Sequence, residues 1–131
     1  MKQTILIIED NERNLYLATF LLEQSGFKVV AARSGSEGVA LADQVRPDLI
    51  LLDIQLPQLD GYAVARELRR NPALKEVPLV AVTSYAMVGD RERTLEAGCT
   101  GYIEKPINPE TFRSEVENHL KTRPAGEGTR T

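Results

Sequence analysis

The stretch Leu49-Ile50-Leu51-Leu52-Asp53 decides the fold of this 131-residue chain, because four large apolar residues end abruptly at a carboxylate. Pro47-Asp48 precedes the run and Pro57 follows it, so it has the length and the boundaries of a strand. Uninterrupted apolar strands are typical of parallel sheets that are covered on both faces. Asp53 would then lie at the carboxyl edge of the sheet, where such folds bind ligands. From this run alone, a solvated acid that merely ends a strand is an equally good interpretation.

Strand and helix patterns alternate on both sides of this run. Four further apolar runs predict strands, at residues 5–8, 29–31, 79–82 and 102–103. Apolar residues recur at helical spacing between and after them, and Ser34-Gly35-Ser36-Glu37 forms a capping box. Asn108-Pro109-Glu110 predicts the start of the last helix. The alternation predicts an α/β domain with a parallel sheet, right-handed crossovers and helices on both faces.

The fourth predicted helix, around residues 87–97, differs from the others because its apolar stripe is thin. Asp90, Arg91, Glu92, Arg93 and Glu96 make most of its surface charged. An ordinary solvated helix face explains this composition. A loosely held element that can shift is the alternative.

Length and composition limit the class of protein. A chain of this length suits one domain with one core. The net charge of -3 argues against general nucleic-acid binding, and no apolar stretch approaches the roughly 20 residues that span a bilayer. With one cysteine and no leader pattern after Met1, we expect a cytoplasmic protein. We expect a domain at residues 1–121 and a disordered polar tail at residues 122–131.

Polar side chains follow four of the five predicted strands, and parallel strands bring these ends to one edge. They are Glu9-Asp10, Asp53, Thr83-Ser84 and Glu104-Lys105-Pro106. Crowded carboxylates repel one another and lose hydration, so the arrangement is costly unless they share a cation. Oxygen ligands without imidazole or thiolate favour Mg²⁺. His119 and Cys99 lie away from these positions in the sequence pattern, and we expect structural roles for both.

These residue types together can accept a phosphoryl group. A carboxylate such as Asp53 can act as a nucleophile and form an aspartyl phosphate. The metal, the Lys105 ammonium and the Thr83 hydroxyl would stabilise the charge of the transferred group. Lys105 could instead be a structural counter-ion to Asp10 or Asp53.

In sum these residues resemble the receiver domain of two-component response regulators, over roughly residues 4–121. Each fragment alone is weak evidence for this family, but all of them occur in the order and at the spacing that the family has. The fragments are Glu9-Asp10-Asn11, Leu51-Leu52-Asp53, Pro57-Gln58-Leu59-Asp60-Gly61, Thr83 and Lys105-Pro106. The resemblance implies a flavodoxin-like (βα)5 doubly wound parallel sheet with strand order 2-1-3-4-5.

The resemblance also implies a role for each site residue. Asp53 would be the phosphorylation site, and Thr83 and Lys105 would bind the phosphoryl oxygens. Mg²⁺ would be held by Asp10, Asp53 and the Gln55 main-chain carbonyl, with Glu9 acting through water.

Two further positions match family features outside the acidic site. Thr83 and Tyr102 match the switch pair, in which the ring swings inward when the hydroxyl moves toward the phosphate. A static, half-buried aromatic is the alternative for Tyr102. Pro106 matches a proline that usually follows a cis peptide bond.

By this resemblance the chain is a stand-alone signalling module of the cell-cycle or chemotaxis type, and not an enzyme beyond its own phosphorylation and dephosphorylation. A histidine kinase or histidine phosphotransferase would supply the phosphoryl group. A protein target would bind the face of the fourth helix, fifth strand and fifth helix, and the chain would be a monomer or weak dimer.

Several alternatives remain beside this interpretation. The chain could be a receiver domain cut from a hybrid histidine kinase or a longer regulator, or a degenerate receiver that takes no phosphate. An aspartyl-phosphate phosphatase would need a second aspartate where Gln55 stands. A flavodoxin would need a phosphate loop where Glu9-Asp10-Asn11-Glu12 would repel phosphate.

The neighbours Gln55 and Tyr85 generate a prediction about the lifetime of the phosphorylated form. Both lie two residues after a site residue, where this family controls access of the hydrolytic water. We expect the bulky Tyr85 to shield the site, so that Tyr85→Ala accelerates loss of the phosphoryl group. The decay of phosphorylated protein, followed by intact mass, measures this rate. An unchanged rate in Tyr85→Ala would contradict the shielding role.

Overall fold

Five parallel strands form a single sheet at the centre of the molecule. The computed structural model describes residues 2–55, 60–84 and 88–121, without the side chains of residues 88–90. The strands are β1 (Thr4–Ile8), β2 (Lys28–Ala32), β3 (Leu49–Asp53), β4 (Leu79–Thr83) and β5 (Gly101–Glu104). Their order is β2-β1-β3-β4-β5, with every neighbouring pair parallel. This order confirms the predicted flavodoxin-like sheet.

Helices connect the strands and cover both faces of the sheet. They are α1 (Glu12–Gln24), α2 (Gly35–Val45), α3 (Gly61–Arg69), α4 (Val88–Glu96) and α5 (Phe112–Lys121), with a short 3-10 helix at Pro72–Leu74. The Ser34 hydroxyl accepts a hydrogen bond from the Glu37 amide at 3.2 Å, which is one half of the predicted capping box. The Glu37 carboxylate accepts its hydrogen bond from the Arg33 amide at 2.8 Å, one residue before the cap. No helix in the described part of the chain is both long and apolar enough to cross a bilayer.

The last helix begins later than the sequence pattern predicted. Asn108-Pro109 was expected at its start, but α5 begins at Phe112. The Asn108 side chain accepts a hydrogen bond from the Glu110 amide at 2.9 Å, and its carbonyl accepts one from the Thr111 amide at 3.1 Å. Asparagine side chains favour such local turns over helix. These contacts close a turn that leads into the helix, since the Asn108 carbonyl also accepts a hydrogen bond of helical spacing from the Phe112 amide at 2.9 Å.

Two apolar layers enclose the sheet, and β3 contributes to both. Its five residues are all buried. Leu49 and Leu51 pack in the layer beneath α1 and α5, whereas Ile50 and Leu52 pack in the layer beneath α2 and α3. Successive side chains of a strand point to opposite faces, so a strand covered on both sides needs an unbroken apolar sequence. This explains the run that ends at Asp53.

Gly61, the first residue of α3, lies directly against the chain that leaves β3. A Cβ atom at this position would lie 2.5 Å from both the Cα and the carbonyl oxygen of Ile54. Backbone atoms cannot rotate away, so this contact requires glycine. The close approach fixes α3 next to the carboxyl end of β3.

We therefore expect Gly61→Ala to lower the free energy of unfolding by about 1–3 kcal/mol, the usual range for an overpacked position. Gly38→Ala is the comparison variant, because its added Cβ would lie 2.4 Å from Cδ1 and 2.6 Å from Cγ1 of the buried Ile8 side chain. Side-chain atoms can shift where backbone atoms cannot, so we expect a smaller loss of stability in Gly38→Ala than in Gly61→Ala. Urea unfolding of both variants measures the difference. A Gly61→Ala protein as stable as the parent would contradict the close approach.

Candidate functional site

The sheet register brings the polar strand ends together at the carboxyl edge. Asp53 pairs with Val82 in the β3–β4 ladder, and Thr83 pairs with Glu104 in the β4–β5 ladder. The Lys105 amide continues this ladder by donating to the Thr83 carbonyl at 2.9 Å. Lys105 therefore lies beside the ends of the strands that carry Asp53 and Thr83. The expected convergence is present.

Lys105 and Asp53 form a buried ion pair. The distance from Lys105 Nζ to Asp53 Oδ1 is 3.0 Å, and Lys105 Nζ lies 3.9 Å from Glu9 Oε1. The Gln55 amide donates to the same Asp53 oxygen at 2.9 Å. Only 3% of the Asp53 surface is exposed. Two donors therefore hold one carboxylate oxygen in a fixed position, and hydrogen bonds of this charged type are strong.

The carboxyl group of Glu9 has a raised pKa in this arrangement. It is 5% exposed, and burial, followed by the negative charge of Asp53, raises the pKa of Glu9 to about 7. The Asn11 amide, 3.1 Å from Glu9 Oε2, and the Lys105 ammonium act in the opposite direction without cancelling the effect. Near neutral pH, Glu9 is thus divided between its charged and neutral forms.

Three carboxylates at this edge have the geometry of a cation site. Glu9, Asp10 and Asp53 each offer an oxygen, and these oxygens lie within 4.8 Å of one another. Asp10 is exposed, so the cluster opens to solvent. An all-oxygen donor set with one open side fits Mg²⁺, which keeps several waters when it binds protein carboxylates. A cation at this position would offset the negative charge of Asp53, which contributes to the raised pKa of Glu9.

Gln55 makes a contact that the sequence did not indicate. Its side-chain oxygen accepts a hydrogen bond from the Ser84 amide at 3.2 Å, which links the segments that leave β3 and β4. Thr83, the preceding residue, is buried at the end of β4. Sequence pattern could not reveal this contact, because nothing in it specifies the direction of one amide side chain.

Two other predicted positions lie on or directly after β5. Tyr102 is half-buried on β5, and the Lys105–Pro106 peptide bond is cis. Tyr85, the segment at residues 56–59 and the predicted tail at residues 122–131 lie outside the described residues.

His119 and Cys99, the two residues for which structural roles were expected, are both away from the acidic cluster. His119 packs against Gly101, and burial lowers the pKa of its ring. Burial raises the pKa of the Cys99 thiol to about 12, so the thiol is neutral.

Comparison with known proteins agrees with the family resemblance that the sequence motifs indicated. The model of the response regulator receiver domain matches residues 5–117. The polar-differentiation response regulator DivK of Brucella anthropi is 42% identical over 120 residues, which cover 92% of this chain and 98% of that protein.

Solved structures agree with this match. The receiver domain of the Pseudomonas aeruginosa sensor histidine kinase PA1611, with a magnesium ion in its active-site cleft, is 34% identical with a TM-score of 0.84, over 93% of this chain and all of that chain (100%). The Vibrio cholerae chemotaxis response regulator CheY4 shares the fold, with 24% identity and a TM-score of 0.87 over 91% of this chain and 99% of that chain.

The raised pKa of Glu9 predicts how stability depends on pH in metal-free protein. Folded protein binds the Glu9 proton more tightly than unfolded protein, whose pKa is near 4.5. Glu9 therefore contributes most stability below that value, and the contribution is lost as pH rises to about 7. The difference between the two pKa values corresponds to about 3 kcal/mol.

We expect the stability of Glu9→Gln relative to the parent to rise by about 3 kcal/mol between pH 4 and pH 8. Urea unfolding in the presence of EDTA measures this difference. Glu23→Gln, which neutralises an exposed carboxylate on α1, is the matched control and should show no such rise. Parallel pH profiles for Glu9→Gln and the parent would contradict the prediction.

Proposed function

The chain belongs to the response regulator receiver family, and from that membership we propose that it is a phospho-accepting receiver of a two-component phosphorelay with Asp53 as the acceptor. The observation that carries the proposal is the buried Lys105–Asp53 pair, at 3.0 Å, beside two further carboxylates. A carboxylate in this position is fixed, desolvated and next to a cation. These are the conditions in which it can act as a nucleophile.

In the proposed reaction a carboxylate oxygen of Asp53 attacks the phosphorus atom of the donor. A new oxygen–phosphorus bond forms, the bond to the leaving group breaks, and its electron pair departs with that group. Lys105 and the Thr83 hydroxyl stabilise the charge on the phosphoryl oxygens. The chain thus catalyses transfer of the phosphoryl group from the donor to its own Asp53, and later the hydrolysis of the aspartyl phosphate.

We assign the Mg²⁺ ligands to Asp10, Asp53 and the main-chain carbonyl of Gln55, with Glu9 contacting the ion through water. When bound, the ion supplies positive charge to the phosphoryl oxygens. The acidic cluster supports this assignment, and so does the magnesium-containing receiver of the Pseudomonas kinase. Gln55 and Tyr85 are proposed to set the lifetime of the phosphorylated form by limiting access of water.

The proposed donor is a histidine kinase or a histidine phosphotransferase in the cytoplasm. A phosphoryl group adds roughly -1.5 to -2 of charge at pH 7, and it acts at a distance by favouring one of two arrangements of the protein. We propose that Thr83 and Tyr102 carry this change to the face formed by α4, β5 and α5, which binds a protein target. The match to nearly all of DivK supports a stand-alone role. We propose that the chain acts as a monomer or weak dimer.

Incubation with acetyl phosphate and Mg²⁺ tests the acceptor. We expect the intact mass of the parent to increase by one phosphoryl group, with no increase in Asp53→Asn or in the presence of EDTA. Asp43→Asn, which alters an exposed carboxylate on α2, is the matched control and should be phosphorylated like the parent. A gain in Asp53→Asn would assign the acceptor elsewhere, and no gain in the parent would indicate a degenerate receiver.

A further inference from the structure

Helix α1 carries two aromatic side chains on its solvent side. Tyr16 is 72% exposed and Phe20 is 47% exposed, whereas Leu15, Ala18 and Leu22 form the buried side of the helix. Each aromatic residue lies two positions from Ala18, which places it about 200° around the helix from that buried residue. Single exposed apolar residues are common on protein surfaces, but here two large ones lie within little more than one turn.

The two rings form one surface. Their centres are 6.3 Å apart, and the angle between their planes is 14°. Rings that lie side by side in this way leave a continuous apolar surface in contact with water. Burial of such a surface against a partner is favourable, and aromatic residues are enriched where proteins bind one another.

Charged side chains flank this pair of rings symmetrically. Arg13 lies three residues before Tyr16, and Glu23 lies three residues after Phe20. Both are exposed, and within the described ranges neither forms a salt bridge in its own chain. The order along the helix is therefore a cation, two rings and an anion, with Ala18 at the middle. We call these four exposed residues the α1 face.

This order is complementary to itself when a second copy of the helix lies antiparallel. A two-fold axis at the level of Ala18 brings Tyr16 of one copy to the level of Phe20 of the other. The same axis brings Arg13 of one copy to the level of Glu23 of the other, and the symmetry makes each contact twice. A parallel pair would instead bring like charges together.

One other acidic residue comes near this level. Glu12 precedes Arg13, but its carboxylate is paired with the Arg33 guanidinium at 2.9 Å in the same chain. Its charge is therefore already offset, and it opposes the antiparallel contact little. The charges around the α1 face thus favour a second copy in this orientation.

We propose that the partner of the α1 face is a second copy of this chain, with the two α1 helices packed antiparallel. Tyr16 of each copy packs against Phe20 of the other, and Arg13 pairs with Glu23 across the contact. The helix has 13 residues, so it is about 20 Å long. Two helices of this length bury less area than the roughly 1,200–2,000 Å² of a stable interface.

The dimer is therefore weak, with a dissociation constant on the order of 0.1–1 mM. At the low micromolar concentrations of an unfolding experiment the protein is a monomer. The inference specifies the weak dimer of the proposed function, but it does not depend on whether Asp53 accepts a phosphoryl group.

Sedimentation equilibrium of unphosphorylated protein, from about 10 µM to about 1 mM, tests the dimer. We expect the weight-average mass of the parent to rise with concentration from 14.5 kDa toward twice that value. Tyr16→Gln and Phe20→Gln should each raise the dissociation constant at least about tenfold, because each substitution removes a ring from both copies. Glutamine is a good helix former and the replaced side chains are largely exposed, so α1 should remain folded.

Leu95→Gln is the matched control. Leu95 is a large apolar residue of α4 that is 58% exposed, and it lies outside the α1 face. Its replacement should leave the dissociation constant unchanged. If Leu95→Gln abolishes association while Tyr16→Gln and Phe20→Gln do not, the copies pair through α4 and the α1 assignment is wrong.

Charge reversal tests the antiparallel alignment. Arg13→Glu and Glu23→Arg should each raise the dissociation constant by about 2- to 10-fold, because each brings like charges together at both ends of the contact. The double variant restores opposite charges and should return the constant to within about a factor of two of the parent value. A double variant that associates no better than the single variants would overturn the alignment.

The mass of the parent protein decides the proposal as a whole. If it stays at 14.5 kDa up to about 1 mM, no second copy binds the α1 face and the inference is wrong. That result would leave the proposed function intact, because the gain of phosphoryl mass at Asp53 is measured separately. A parent that gains no phosphoryl mass would likewise leave the dimer to be decided by sedimentation.

Discussion

The ion pair between Lys105 and Asp53 is the interaction on which the site depends. The buried Asp53 carboxylate loses its hydration, and the nearby Glu9 adds a second negative charge. A cation must therefore lie next to them to offset the unfavourable free energy of this arrangement. That cation comes from the segment after the fifth strand, whereas Asp53 ends the third. The two atoms meet only when β3, β4 and β5 are in register. The ion pair therefore forms only in the correctly folded sheet.

The need to hold Asp53 opposite Lys105 also explains how the neighbouring elements are packed. β3 is buried on both faces and cannot move without exposing two apolar layers. Gly61 holds α3 against the backbone of Ile54, directly beyond this strand. Among the described side chains of α4, Thr94 is buried, and Arg91 and Arg93 lie over the Tyr102 and Tyr62 rings. Closely packed elements thus surround Asp53.

Much of this arrangement was predictable because its determinants are local in sequence. Apolar runs specify strands, and a carboxylate, hydroxyl or ammonium after each run identifies the edge at which they meet. Helix α5 begins at Phe112 and not at Pro109, although the Asn108 side chain accepts the hydrogen bond that a helix cap makes. The Gln55–Ser84 hydrogen bond and the two arginine–tyrosine contacts could not be predicted. They depend on the directions of flexible side chains from elements far apart in the sequence, and no periodicity encodes those directions.

Glu9 has a consequence for how the protein would respond to divalent cations. A carboxyl group with a pKa of about 7 is partly protonated at neutral pH, and a cation between Glu9, Asp10 and Asp53 would drive that proton into solution. Cation uptake and proton release would then be a single linked equilibrium. The heat of binding would include the ionisation enthalpy of the buffer, and the apparent affinity would rise with pH until Glu9 is fully charged. The same carboxylate would make cation binding sensitive to the acidity of the surroundings.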